Sequence, residues 1–166
     1  MAGATGADIS ASWAYLGTGN AMFHKARCFP RPDPFDVRFN ARGGEDIWLI
    51  RSLMRQGHRL LWNREAVVDE LVPTDRMTLE FLTARKFNQG QLRCIFVYGD
   101  GGIGGTLKVG LWMLVGAIQY ALFGPAARVA DALAPARAPD FHCRAAAGAG
   151  KLQWRKTASV RVYDQD

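Results

Sequence analysis

The pattern of apolar and polar residues predicts a helix that begins at two adjacent carboxylates, Glu45 and Asp46. The apolar positions that follow at helical spacing are Ile47, Ile50 and Met54. Gly57 stands where such a helix would end, since glycine is the common residue just past a helix C-terminus. Gly43 and Gly44 lead directly into the carboxylates, so a glycine turn precedes the helix.

A second helix is predicted over residues 74–89, with Asp75 as its N-terminal cap and Gly90 as its end. Its apolar positions are Met77, Phe81, Leu82 and Ala84. Arg85 and Lys86 fall in its last turn, where the helix dipole favours basic residues. The same two side chains can equally hold a phosphate group.

Short apolar runs between turn residues predict strands at 21–23, 58–62 and 66–72. Pro73 ends the last of them. Residues 1–12, which precede these elements, are predicted to be a flexible entry.

The chain changes character after residue 98, where residues 99–105 form a glycine-rich turn with G-x-G-x-x-G spacing. A dinucleotide-binding unit would need an acidic residue about 20 positions later, at the end of a strand. Residues 119–123 lie in an apolar helical pattern instead, so a flexible hinge is the favoured interpretation. The segment 99–152 is predicted to comprise this hinge, an apolar helix and a basic tail, followed by a polar C-terminus at 153–166.

Residues 109–123 contain no charged side chain and predict an apolar helix about 22 Å long, shorter than the roughly 30 Å hydrocarbon core of a bilayer. Lys108 and Arg128 near its ends, with Trp112 and Tyr120 as amphipathic anchors, are typical of a helix in the membrane interface. A helix buried in the protein core is the alternative.

The formal net charge of +6 and the pI of about 9.6 indicate an anionic partner. The arginines are scattered and show no nucleic-acid-binding motif, so we expect anionic lipid or a diphosphate substrate and no nucleic acid. Cys28, Cys94 and Cys143 lie far apart and indicate reduced thiols in the cytoplasm. No signal peptide is evident at the N-terminus.

Two features of the chain offer chemistry to a binding cleft. The turn formed by Gly17, Thr18, Gly19 and Asn20 allows the backbone to pass close to a ligand and adds the side-chain amide of Asn20. The same sequence is also typical of a tight turn with no binding role. Glu45 and Asp46 satisfy the start of a helix, and either carboxylate can also accept a proton from a nucleophilic hydroxyl.

Several segments, taken in order, resemble the C-terminal half of family-two glycosyltransferases, in particular bacterial enzymes of the succinoglycan type that build exopolysaccharide on a lipid carrier. They are Gly-Thr-Gly-Asn-Ala-Met-Phe at 17–23, Phe-Asp-Val-Arg-Phe at 35–39, Gly-Gly-Glu-Asp-Ile-Trp-Leu at 43–49, Gln-Gly-His-Arg-Leu-Leu-Trp at 56–62 and Glu-Ala-Val-Val at 65–68. Residues 13–98 carry the resemblance, and the following segment resembles the membrane-associated tail of these enzymes.

The resemblance implies an α/β fold, a partial GT-A domain, over residues 13–98. It also implies inverting transfer of a sugar from a nucleotide-sugar to a lipid-linked or saccharide acceptor, at the cytoplasmic face of the inner membrane or in the cytoplasm. Asp46 matches the catalytic base, with Glu45 beside it. Gly17 to Asn20, Gly43 and Gly44 are then expected to line the substrate cleft, and Arg85 and Lys86 match a basic substrate-binding segment.

The family's N-terminal half, with its nucleotide pocket and Asp-x-Asp metal motif, has no counterpart in this sequence. We therefore expect a fragment or split half that needs a separate N-terminal half, which would supply the main ligands of Mg²⁺ or Mn²⁺. A non-catalytic, membrane-associated binding module or degenerate remnant is the alternative, and a nucleotide-binding oxidoreductase ranks third.

Overall fold

The computed structural model describes residues 4–30, 32–39, 43–99 and 101–156. The chain forms two compact units, Met1–Leu71 and Val72–Asp166. This division differs from the boundary after residue 98 that the sequence suggested. Asp100 of the glycine-rich turn and most of the polar C-terminus, residues 157–166, lie outside the described residues.

The first unit is organised around one helix, α2. Its helices are α1 (Lys25–Cys28) and α2 (Glu45–Arg55), and 3₁₀ turns cover Ser10–Tyr15 and Val37–Phe39. The buried face of α2 carries Leu49, Ile50 and Leu53, and the Ser10–Tyr15 and Val37–Phe39 turns pack against this helix. The ring of Trp48 lies 5.5 Å from that of Phe39, which is buried.

The predicted end of this helix is confirmed. The helix stops at Arg55, and Gly57 has a φ of +86°, a conformation that glycine adopts without strain. The amides of Gly57 and His58 donate to the carbonyls of Met54 and Leu53, which closes the last turn.

The prediction of an α/β fold, a partial GT-A domain, is wrong. The described residues are mostly helical and contain no strand. Residues 58–62 make only one isolated antiparallel bridge, between Leu61 and Asp8, with backbone bonds from Ile9 to Leu60 and from Trp62 to Ala7. Residues 21–23 are irregular.

The segment 66–72 also forms no strand, and its apolar side chains Val67 and Leu71 are 79% and 97% exposed. A strand needs a neighbour for its backbone groups and a core for one face. Within the described residues, the run at 58–62 finds a neighbour only in the short segment around Asp8, and Val67 and Leu71 of the run at 66–72 find no core.

The second unit is a bundle of three helices: α3 (Leu79–Tyr98), α4 (Gly102–Leu133) and α5 (Ala138–Leu152). A 3₁₀ turn at Thr74–Met77 precedes α3, and each of the three helices packs against the other two. The connection between α3 and α4 is short, with Gly101 and Gly102 at φ of +73° and +66°.

Glycines allow the three helices to approach closely. A methyl group on Gly148 would lie 2.7 Å from the carbonyl oxygen of Gly116, and one on Gly90 would collide with the carbonyl oxygen of Ala147. One on Gly150 would collide with the carbonyl oxygen of Phe87. These glycines therefore serve interhelical packing.

The prediction of a helix over residues 74–89 was wrong at both ends. Thr78, rather than Asp75, caps α3 by accepting a hydrogen bond from the amide of Phe81 at 3.2 Å. Gly90 does not end the helix, because it is buried in the contact with α5, and the helix continues to Tyr98. An isolated glycine inside a helix is tolerated where close packing needs it.

The predicted apolar helix is confirmed and is longer than expected, since α4 extends from Gly102 to Leu133 with Pro125 inside it. It is the one helix in the described part of the chain that is long and apolar enough to cross a membrane, and 11% of its most apolar window is buried. Trp112 is not free to act as an interface anchor, because Arg93 of α3 lies 5.0 Å from its ring centre. Four residues, 134–137, connect α4 to α5.

Candidate active site

The two glycines before α2 determine where the helix begins and so place the two carboxylates in its first turn. Gly43 and Gly44 have φ angles of +71° and +98°, in the left-handed region that costs other residues strain. The Gly43 amide donates to the carbonyl of Phe39 at 2.9 Å, and the Gly44 carbonyl accepts from the amide of Trp48 at 2.9 Å. The turn therefore places Glu45 and Asp46 as the first two residues of the helix.

The two oxygens of the Asp46 carboxylate have different surroundings. Oδ1 accepts a hydrogen bond from the amide of Ile47 at 2.6 Å, which fixes the orientation of the group. Oδ2 faces the backbone of Gly17, because a methyl group placed on Gly17 would lie 3.0 Å from this oxygen. The helix start and the Gly17 turn, 29 positions apart in the sequence, therefore meet at one site.

Glu45 brings an unsatisfied acceptor to the same helix end. Its Oε2 atom is buried and has no hydrogen-bond partner among the described residues, although the residue as a whole is half-buried. A buried carboxylate oxygen without a donor is unfavourable. A ligand hydroxyl that reached this oxygen would satisfy it.

The rest of the Gly17 turn is held to the first unit through Asn20. The Nδ2 of Asn20 donates to the carbonyl of Ala66 at 2.8 Å. Thr18 is half-buried, whereas Gly19 is exposed and faces open space. The Asn20 amide therefore positions the turn, a role that spacing alone did not reveal.

Arg85 and Lys86 belong to the second unit, where both are exposed on α3. They lie in the first half of a helix that ends at Tyr98, so the predicted last-turn position is wrong, and the dipole argument for them does not apply. Lys86 Nζ donates to Gln89 of the same helix at 3.2 Å.

Sequence reasoning missed the contacts of Trp48 in the first half of α2. Trp48 stacks at a tilt on Phe39, and the guanidinium of Arg51, a 7% exposed residue, lies 5.7 Å from the Trp48 ring centre. An arginine over an indole face is a favourable cation–π contact. The i, i+3 spacing of Trp48 and Arg51 was the available signal.

No protein-family model matches the chain, and no curated protein and no solved structure matches it. The chemistry of the site is therefore argued from its own residues. A carboxylate that is fixed through one oxygen and has the other beside Gly17, which lacks a side chain, can accept a proton from a hydroxyl that enters there. The described residues contain no group of three or more His, Cys, Asp or Glu side chains that could hold a metal ion.

Proposed function

We propose that this chain carries the acceptor-side, base-bearing part of an inverting glycosyltransferase, with Asp46 as the general base. The observation that supports this most directly is the Oδ2 atom of Asp46, which lies beside Gly17 while Oδ1 is held by the helix backbone. The ordered motifs that resemble family-two glycosyltransferases support the same assignment. The proposal concerns the site and not the GT-A fold.

The proposed reaction is a single displacement at the anomeric carbon of a nucleotide-sugar. The acceptor oxygen forms a bond to this carbon, and the bond to the nucleoside diphosphate breaks with its electron pair going to the leaving phosphate oxygen. The acceptor hydroxyl loses its proton to Oδ2 of Asp46 as the new bond forms. Attack from the face opposite the leaving group inverts the configuration.

Glu45 is assigned the orientation of the acceptor. Its buried Oε2 lacks a partner among the described residues and can accept a hydrogen bond from a second hydroxyl of the same sugar. Gly17, Gly19, Gly43 and Gly44 carry no side chain that would block such an acceptor.

The charge that develops on the diphosphate needs cationic stabilisation. The described residues do not fit a divalent metal ion, so no step of the mechanism is routed through one. The proposal leaves donor binding and the Mg²⁺ or Mn²⁺ ion to a separate donor-binding half. The acceptor is lipid-linked or saccharide in nature, at the cytoplasmic face of the inner membrane.

The test is sugar transfer to membrane-extracted lipid acceptors from a panel of labelled nucleotide-sugars, with Mg²⁺ or Mn²⁺. The chain is assayed alone and after co-expression with the N-terminal half of a family-two enzyme. Activity only in the mixture, lost in Asp46→Asn and kept in Asp69→Asn, supports the proposal. Asp69 is the matched control because it is an exposed aspartate of the same unit, outside the site.

A non-catalytic, membrane-associated binding module is the second candidate, favoured by the exposed apolar surface of α4. In that case Glu45 and Asp46 serve only to place negative charge at the positive end of the helix dipole, as acidic residues do in many first turns. No transfer in any mixture, from a folded chain whose Asp46→Asn variant behaves as wild type, would favour this second function.

A further inference from the structure

One face of α4 presents a row of exposed apolar side chains to the surroundings. We call it the α4 row, and it consists of Ile103, Leu107, Leu111, Leu114, Ile118, Leu122, Val129 and Leu133. Each of these side chains is between 51% and 82% exposed. Successive members are three or four residues apart, except where Pro125 falls between Leu122 and Val129, so they follow one side of the helix.

The opposite side of α4 faces the other two helices. Its buried residues are Gly105, Val109, Gly116, Ala127 and Ala130. At about 100° per residue, the α4 row spans an arc of about 120° that is centred nearly opposite this buried set. The row therefore has no partner among the described residues of the second unit.

The interior of the second unit is built from small and polar residues. Among the described residues, the buried positions are five glycines, four alanines and Cys94, the polar residues Asn88, Gln91 and Lys151, and three large apolar residues, Leu92, Phe96 and Val109. Proteins surrounded by water bury their large apolar residues instead. Small residues between helices and large apolar ones outside are the arrangement of helices that contact lipid.

The buried lysine is accommodated by hydrogen bonds within the bundle. Lys151 Nζ donates to Gln119 Oε1 at 2.7 Å and to the carbonyl of Ala147 at 3.2 Å. The contact joins α4 to α5 on the side of α4 away from the row.

The charge of the chain is concentrated in the part that carries the row. Residues 72–156 contain eleven Lys and Arg against five Asp and Glu, whereas residues 1–71 contain nine against eight. On α4 itself, Lys108 and Arg128 lie on either side of the row, each about 80° from its centre. A positively charged surface around an apolar stripe is complementary to anionic headgroups above acyl chains.

We propose that α4 lies along the surface of an anionic bilayer, with the α4 row immersed among the acyl chains and Lys108 and Arg128 at the headgroups. A crossing orientation conflicts with α3 and α5, which pack against α4 and carry exposed charges such as Arg85 and Arg144. A second copy of the chain is disfavoured because two units of the same positive charge repel each other. The inference concerns the second unit alone and holds whether or not Asp46 is a base.

Vesicle flotation of the full chain tests this orientation. The chain should float with phosphatidylglycerol–phosphatidylcholine vesicles and bind at least tenfold less to phosphatidylcholine alone, with binding to the mixed vesicles weakened by salt. Carbonate washing at high pH should release it, because a helix on the surface is not held as a spanning helix is.

The double variant Leu111→Gln/Ile118→Gln should lose at least tenfold in binding while keeping its helical circular dichroism, since both side chains are exposed. Its matched control is Val67→Gln/Leu71→Gln, which replaces exposed apolar residues of the first unit and should bind as wild type. Failure of the wild type to bind either vesicle, wild-type binding by the row variant, or resistance to carbonate would overturn the proposal. A stable dimer that the row variant converts to monomers, without vesicle binding, would assign the row to a second copy.

Discussion

At the scale of single residues, the candidate site depends on the absence of a side chain at Gly17. Oδ2 of Asp46 lies where a methyl group at this position would press on it, whereas Gly19 in the same turn faces open space. Neither glycine has a positive φ, so alanine is compatible with the backbone at both positions. The two positions differ in their distance from the carboxylate and not in backbone strain.

We expect Gly17→Ala to lower sugar transfer by the reconstituted enzyme by about tenfold or more, because a displaced general base loses its alignment with the acceptor hydroxyl. Gly19→Ala should retain activity close to wild type. Initial rates at saturating donor, with circular dichroism of both variants, provide the measurement. Equal activity of the two variants would show that the turn does not border the reacting hydroxyl.

Lys151 gives a second prediction at this scale. Burial lowers the pKa of its ammonium group, so the folded chain releases the proton at a lower pH than the unfolded chain does. Between the lowered pKa and the ordinary one, the unfolded state holds more protons, and the stability conferred by this group therefore rises with pH. We expect Lys151→Met to lose this rise.

Thermal unfolding from neutral to alkaline pH, compared between wild type and variant, isolates the contribution of Lys151 from that of the cysteines. Burial raises the pKa of the Cys94 and Cys143 thiols, so these groups reduce stability as pH increases. Lys86→Met, which alters an exposed lysine of α3, should follow the wild-type curve. If the stability of Lys151→Met changed with pH in the same way as that of the wild type, the rise would not come from Lys151.

At the scale of elements, helix packing in the second unit depends on which glycines lie at contacts. Gly150 of α5 lies against the backbone of Phe87, whereas Gly110 of α4 has no atom within 4 Å of where a side chain would start. Both are inside helices, where alanine is the better former. The same substitution should therefore have opposite effects at the two positions.

We expect Gly150→Ala to destabilise the second unit by about 1–3 kcal/mol, because the added methyl group forces α5 away from α3. Gly110→Ala should be neutral or stabilise by up to about 1 kcal/mol. Denaturant unfolding followed by circular dichroism measures both effects. Destabilisation of the same size in the two variants would show that the close approach of α3 and α5 is wrong.

At the scale of the whole molecule, the two units bury their residues in different ways. The first buries Phe39, Leu49, Ile50 and Leu53 around α2. The second, among its described residues, buries few large apolar side chains and closes its interior mainly with glycine and alanine. The proposed catalytic role of the first unit and the proposed lipid contact of the second can therefore be tested separately.

The three cysteines report on both units at once. Cys94 is 0% exposed, with its Sγ 3.6 Å from the carbonyl oxygen of Lys151, whereas Cys28 and Cys143 are partly exposed. We expect a maleimide to label Cys28 and Cys143 in the native chain and to label Cys94 at least a hundredfold more slowly, since burial both shields the thiol and disfavours the thiolate. Mass spectrometry of labelled peptides with time gives the rates. Equal labelling of Cys94 and Cys143 would contradict the packing of α3 on α5.

The sequence by itself determined the features that depend on neighbouring residues. The helix at Glu45, its end near Gly57 and the apolar character of α4 follow from spacing, glycine conformation and composition, which act within a few turns. The pairing of Glu45 and Asp46 at a helix start needed no further information.

Only the tertiary structure decided features that need a distant partner. The apolar runs at 58–62 and 66–72 predicted strands. A strand forms only where another segment takes up its backbone hydrogen bonds, and these runs make a single bridge among the described residues. Gly90 predicted a helix end, but α5 packs against this glycine and α3 continues to Tyr98. The meeting of Gly17 with Asp46 likewise depends on how the chain folds back on itself, which local patterns do not encode.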